Sequence, residues 1–270
     1  MEIQYKRAFL VGINYRGSNC ELHGCINDIK DVENMLLKNG YLAENIMIMT
    51  DDTIHQPTTK NIIEGWKWLL SKNPISEFGQ KYTNFTLENV KFFFHYSGHG
   101  SQTKDINGDE EDGLDETICP IDFMTSGMIT DDQIKNLLID KIPINCKLFS
   151  IIDACHSESS FDLGWSCTPT LFGDIKVCKV GKYMSTLGST IMLSGCKDNQ
   201  TSADVTISGK GHGALTYSLI KILEKNNYNL TYKQLLIDIR SFIKNQKLSN
   251  QIPCLSFSKS LKNLDSKFEF

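Results

Sequence analysis

The chain has 270 residues, 40% of them hydrophobic and 22% charged, which lets it bury about three quarters of its unfolded surface without external staples. Its net charge of -4 and pI near 5.9 give no field to attract nucleic acid or an anionic membrane, and suit a cationic substrate instead. Nine cysteines, an odd number with no C-x-x-C pair, argue against a disulfide scaffold or a structural zinc site and for reduced thiols.

The run Arg7-Ala-Phe-Leu-Val-Gly-Ile13 has strand length and predicts a strand buried on both faces. Ile29, Val32, Met35 and Leu36 recur at helical spacing after Asn27 and Asp28, and Gly40 supplies the stop, so a helix is expected over 27–39. A short strand follows over 46–50. Thr58 or Thr59 caps a second helix carrying Ile62, Ile63, Trp66, Leu69 and Leu70. Next come a strand over 90–95, a long acidic loop, a helix capped by Thr130, and a strand over 147–153. A strand over 190–194, helices over 213–224 and 231–244, and a strand over 254–257 complete the pattern.

Strands alternating with helices predict an α/β fold with a mostly parallel central sheet and helices on both faces. No Pro/Ser/Gly-rich linker divides the chain, so residues 1–270 are read as a single domain. The stretch 157–189, rich in Gly, Ser and Thr, is read as a loop. There is no signal-peptide core and no apolar run near the ~20 residues of a membrane span. A cytoplasmic protein that does not engage membranes is expected.

Two apolar runs end in reactive side chains: Lys91-Phe-Phe-Phe-His-Tyr-Ser-Gly-His99-Gly100 and Lys147-Leu-Phe-Ser-Ile-Ile-Asp153-Ala-Cys155-His156-Ser157. A thiol needs an imidazole to take its proton near neutral pH, because its ordinary pKa is about 8.5. His99 is the candidate base for Cys155, whereas His95 lies inside its strand and is expected to be buried and bonded to backbone. Gly98 and Gly100 are expected to permit close backbone approach and positive φ, as an oxyanion-binding loop needs. Asp153, two residues before Cys155, shares its strand face and would form an acidic floor for a cationic substrate side chain.

The acidic stretch from Asp105 to Glu116 resembles a calcium EF-hand, but Glu110 stands where the turn requires Gly and the flanks are not helical. Asp131 and Asp132 add carboxylates in a first helical turn, where acids also complement the helix dipole.

These strings resemble the metacaspases, caspase-like cysteine peptidases of the caspase/haemoglobinase fold. The similarity continues through Gly24-Cys25-Ile-Asn-Asp28, the segment 108–116, Pro120-Ile-Asp122, the segment 194–204, Gly213-Ala-Leu-Thr-Tyr217 and Gln251-Ile-Pro253. The resemblance implies a His99/Cys155 dyad, with the backbone amides of Gly100 and Cys155 as oxyanion hole. It implies an S1 pocket of Cys25, Asp28, Ser97 and Asp153 that selects Arg or Lys in protein or peptide substrates. An activating calcium site would fall on Asp115, Asp131, Asp132 and Asp162, with no organic cofactor.

By the same resemblance, residues 1–165 are the large-subunit-like region, 166–189 a linker and 190–270 the small-subunit-like region. Lys176, Lys179 and Lys182 in that linker are candidate self-cleavage positions, and a monomer is expected. The chain reads as a type I-like domain without a prodomain. Glu158 departs from the family's pattern, which often has Gly there, and supports the alternative of a catalytically weak or inactive caspase-like regulatory protein.

Overall fold

The computed structural model describes residues 5–71, 88–106, 108, 113–155, 161, 163–169, 175–180, 186–195, 204–207, 209–259 and 264–270. The chain begins with β1 (Lys6–Gly12), α1 (Cys25–Lys38), β2 (Ile46–Thr50), α2 (Thr59–Leu70) and β3 (Lys91–Ser97). A three-stranded antiparallel sheet follows, β4 (Gly100–Lys104), β5 (Leu114–Ile118) and β6 (Ile129–Thr130), with the one-turn α3 (Phe123–Ser126) before β6. Then come α4 (Asp131–Leu137), β7 (Lys147–Asp153), β8 (Trp165–Pro169), β9 (Ile175–Lys179) and β10 (Ser189–Ser194). The β11 (Asp204–Ile207) and β12 (Lys210–Gly213) hairpin, α5 (Ala214–Lys225), α6 (Tyr232–Gln246) and β13 (Cys254–Phe257) complete the order.

Eight strands form one sheet in the order β2-β1-β3-β7-β10-β13-β8-β9. The first five pair parallel and the last three join antiparallel. The expected mostly parallel sheet is therefore observed, with a mixed edge that the apolar pattern did not announce. Side chains alternate between two cores, as a period of two demands. Phe92, Phe94 and Tyr96 of β3 pack in the core shared with α2 and α4, whereas Phe93 faces the core built with α1, α5 and α6.

Several boundaries differ from expectation for identifiable reasons. Helix α1 starts two residues before the predicted Asn27, because the Ile26 amide is satisfied by Asn14 Oδ1 at 3.3 Å from the loop after β1. No local side chain caps it. Thr58, of the two threonines considered, caps α2 by accepting from Asn61 N–H. Thr130 closes a full capping box with Gln133, as its position predicts. Within the stretch read as a loop and linker, β8 and β9 are strands of the main sheet.

Among the described residues no helix is long and apolar enough to cross a membrane.

Candidate active site

The register of β3 and β7 brings the two reactive ends together. The strands are adjacent and parallel with Ser97 opposite Asp153, so His99 and Cys155 each lie two residues beyond a paired strand end. Gly98 N–H donates to the Asp153 carbonyl at 3.4 Å, carrying the ladder past the strands. At Gly100 a Cβ would sit 2.0 Å from the Cys155 carbonyl oxygen, so only glycine permits this approach. Neither Gly98 nor Gly100 has positive φ; that half of the expectation is corrected, and close approach alone explains the glycine at 100.

His99 is held on three sides. Its Nε2 lies 2.7 Å from the Cys20 carbonyl oxygen; a carbonyl only accepts, so Nε2 carries the proton and Nδ1 is left to receive another. The imidazole stacks on Tyr15 with centroids 4.7 Å apart. Its backbone N–H donates to the Tyr15 hydroxyl at 3.0 Å, which donates in turn to the Cys119 carbonyl at 2.6 Å. Tyr96 hydroxyl donates to the His99 carbonyl at 2.8 Å. Burial keeps both phenols protonated.

Cys155 is half-buried. Burial pushes the Cys119 thiol up to about 12, helped by Cys20 and Cys155 nearby, and burial likewise holds Cys167 at about 12. Those thiols are inert near neutral pH.

The predicted S1 residues Asp28, Ser97 and Asp153 converge below this pair. Ser97 hydroxyl donates to Asp28 Oδ2 at 2.7 Å, and Gly213 N–H reaches both Asp28 oxygens at 3.0 and 2.9 Å. Asp153 Oδ2 accepts from the backbone N–H and the hydroxyl of Thr216, both at 2.9 Å. Asp153 thus caps α5, and the start of that helix faces both acids, where its dipole favours negative charge. A Cβ on Gly213 would meet Asp153 Oδ2 at 2.2 Å and Asp28 Oδ2 at 2.7 Å, so the carboxylates flank one glycine. Burial pushes Asp28 up to about 7, with Asp153 adding to the rise while His212, Ser97 and Gly213 oppose it. Cys25 is buried at the first position of α1.

His95 is buried, but its partner is the Thr216 hydroxyl at 3.1 Å and not backbone, which corrects the expectation. The single hydroxyl proton of Thr216 goes to Asp153, so His95 Nε2–H donates to Thr216 and fixes the tautomer. Burial pushes His95 down to about 3, so it stays neutral.

The predicted metal ligands are only partly gathered. Asp115 and Asp131 are buried on β5 and at the start of α4. Asp131 accepts from Glu116 N–H and Asp132 N–H, both at 2.8 Å. Among the described residues no group of three His, Cys, Asp or Glu side chains is arranged to hold a metal ion, and Asp162 lies outside the described residues. Lys176 and Lys179 are exposed on the edge strand β9 and not in a loop, which corrects that placement; Lys182, His156 and Glu158 lie outside the described residues.

The model of the metacaspase peptidase C14 domain matches residues 6–164, more than half of the chain. The chain belongs to the metacaspase family. It is 34% identical to Metacaspase-1 of Schizosaccharomyces pombe over 95% of its own length and 68% of that protein. Metacaspase-1 of Arabidopsis thaliana is 38% identical over 89% of this chain and 65% of its own length. The crystal structure of a Geobacter sulfurreducens protein aligns at TM-score 0.65 and 21% identity over 98% of this chain and 97% of the other, so the two share one α/β fold. As a metacaspase, the chain is a cysteine-type peptidase acting on protein substrates.

Some functional features had no sequence signal. The group that orients His99 is the Cys20 backbone carbonyl, which any residue would present. Thr216 and Gly213 stand in the Gly-Ala-Leu-Thr-Tyr string, whose order matched the family while the role of each residue stayed silent.

Proposed function

We propose that this metacaspase cleaves peptide bonds after Arg or Lys, with Cys155 as nucleophile and His99 as its base. The observation that carries the specificity is the buried acid pair, Asp28 and Asp153, on either side of Gly213. Two buried carboxylates beside one helix start offer negative charge for a guanidinium or ammonium group to complete. Ser97 and Cys25 are the remaining proposed S1 residues.

In the proposed reaction His99 Nδ1 takes the Cys155 proton, and the thiolate attacks the substrate carbonyl carbon. The carbonyl electron pair moves to oxygen, and the amides of Gly100 and Cys155 stabilise that oxyanion, each by about 2.7–4 kcal/mol. Collapse of the adduct breaks the C–N bond, and the imidazolium gives its proton to the departing amine. The same imidazole then removes a proton from water, which displaces Cys155 from the acyl group. The Cys20 carbonyl keeps Nε2 protonated throughout.

Calcium activation belongs to the proposal, with Asp115, Asp131, Asp132 and Asp162 as ligands. Carboxylates are the donors this ion takes, and two of them are buried on adjoining elements. The ion would neutralise these acids and tie β5 to the start of α4. Self-processing after Lys176, Lys179 or Lys182 is a further part; at the first two it requires β9 to leave β8, which would make it slow. Exposed lysines on edge strand β9 oppose strand-to-strand pairing and support a monomer, here placed in the cytoplasm.

A positional-scanning fluorogenic library, with and without calcium, tests the reading. Arg and Lys at P1 should dominate, calcium should raise the rate, and Cys155→Ala should abolish cleavage. Acidic or aromatic P1 preference would overturn the specificity, and activity in Cys155→Ala would overturn the nucleophile.

A further inference from the structure

The acid pair has a third ionisable neighbour that the motifs did not mark. His212 lies on β12 immediately before Gly213 and is 8% exposed. Its Nδ1 is 3.8 Å from Asp28 Oδ1 and 3.5 Å from Asp31 Oδ2, yet makes no hydrogen bond. At those separations a protonated imidazole and an ionised carboxylate attract each other as an ion pair.

The ring is held where it is from both sides. Asn27 Nδ2 donates to the Gly211 carbonyl at 2.9 Å, and Gly213 N–H binds Asp28. A Cβ on Gly211 would sit 2.7 Å from the His23 carbonyl carbon, so β12 lies tight against the start of α1. From α5 the Tyr217 ring stands 5.4 Å from the imidazole, and Lys221 Nζ lies 5.5 Å from that ring. The charged groups around His212 are Asp28 and Asp31 on α1, Lys210 on β12, Lys221 beyond Tyr217, and Asp153 on β7 across Gly213. Acids adjoin the imidazole directly, and its proton is held above the ordinary range by Asp28 first.

We infer that His212 tunes the basic pocket: its imidazolium stands beside Asp28 as an internal cation when the pocket is empty, and releases its proton to solvent when Arg or Lys enters. The inference rests on the Arg/Lys reading of Asp28 and Asp153. One carboxylate then serves either the imidazolium or the substrate cation with full strength, and the two compete. Binding of a P1 cation is therefore linked to loss of one proton, and the linkage is reciprocal. Basic substrates bind more tightly as Asp28 and the imidazole both give up their protons, through about pH 6 to 8, while the chemical step at Cys155 is unaffected by this exchange. His212 is a positioning residue for Asp28 and does not touch the reacting atoms.

The test uses the Cys155→Ala full chain with agmatine, a guanidinium probe for S1 that carries no scissile bond. The His212 imidazole is titrated by NMR with and without saturating agmatine. Its midpoint should fall by about one unit or more, and the agmatine Kd should tighten about tenfold from pH 6 to 8. In active enzyme His212→Lys, a cation that keeps its proton in this range, should raise KM for an Arg reporter about tenfold at pH 8 and flatten the pH dependence of KM, with kcat unchanged.

Agmatine that binds without moving the His212 midpoint overturns the inference and leaves the Arg/Lys pocket standing. Agmatine that does not bind, together with no cleavage after Arg or Lys, overturns the pocket itself and the inference with it.

Discussion

Gly100→Ala is the sharpest single change available at the site. The new Cβ would lie 2.0 Å from the Cys155 carbonyl oxygen and 3.2 Å from Ala154 Cβ. Ordinary carbon–oxygen contact begins at about 3.3 Å, so the segments must separate by about 1 Å. The opposing atom is backbone and cannot rotate away, so the displacement falls on the segment carrying His99 or on the one carrying Cys155. A shift of about 1 Å between reacting groups costs on the order of 100-fold, or ~2.7 kcal/mol of barrier. Asp28 and Asp153 are untouched, so the loss should appear in kcat with KM little changed. Overpacking should also cost ~1–3 kcal/mol of stability. The assay is steady-state hydrolysis of an Arg reporter beside thermal unfolding. A folded variant with wild-type kcat would refute the account, because the thiol and imidazole would then not depend on this contact.

Thr216→Val keeps the shape but removes the hydroxyl that joins His95 to Asp153, leaving a buried N–H unpaired; ~2–4 kcal/mol of stability should be lost with a raised KM for Arg substrates, and an unchanged urea midpoint would contradict this. Asp28→Asn tests the raised carboxyl. Burial raises the Asp28 carboxyl from its ordinary 3.8 to about 7 in the folded chain, so below pH 4 both states hold its proton, and from about pH 4 to 7 the unfolded state loses it first. Wild type should lose stability as pH rises through that window and level off above it. Asp28→Asn should flatten this slope, melt higher than wild type at pH 8, and lose cleavage after Arg; a lower melting temperature at pH 8 would refute the burial cost. Arg7 is fully buried, donates from Nη1 to the Trp68 and Ser71 carbonyls at 2.8 Å each, and lies 4.9 Å over the Trp68 ring. Arg7→Met should destabilise by ~3 kcal/mol through those carbonyls at the end of α2 while kcat holds, as read by denaturant unfolding and reporter turnover.

Legibility followed the physics of each element. Strands β1, β3 and β7 are central and buried on both faces, so their sequences are apolar runs that stand out, and their ends mark where His99 and Cys155 emerge. Strands β4 and β5 carry polar residues such as Gln102, Thr103, Asp115 and Glu116, and read as an acidic loop because pairing, and not apolarity, makes them strands. Strands β8 and β9 were missed similarly: they add antiparallel to an edge, and β9 carries the exposed lysines 176 and 179. The start of α1 depends on Asn14, a dozen residues away, which no local capping rule contains. In the site, side chains with reactive chemistry were found, whereas partners acting through backbone or through packing were not. Arg7 opens the apolar run of β1, and only the fold shows its guanidinium buried against Trp68.

The central claim is that one thiol of nine is the nucleophile of a basic-specific peptidase. Labelling with a peptidyl-Arg chloromethyl ketone, followed by peptide mapping, tests it directly because the probe must occupy S1 and alkylate the attacking sulfur. The account predicts one thioether, on Cys155, suppressed by agmatine and lost in His99→Ala. Labelling of Cys20, Cys25 or Cys119 in its place, or equal labelling by a peptidyl-Asp probe, would contradict it.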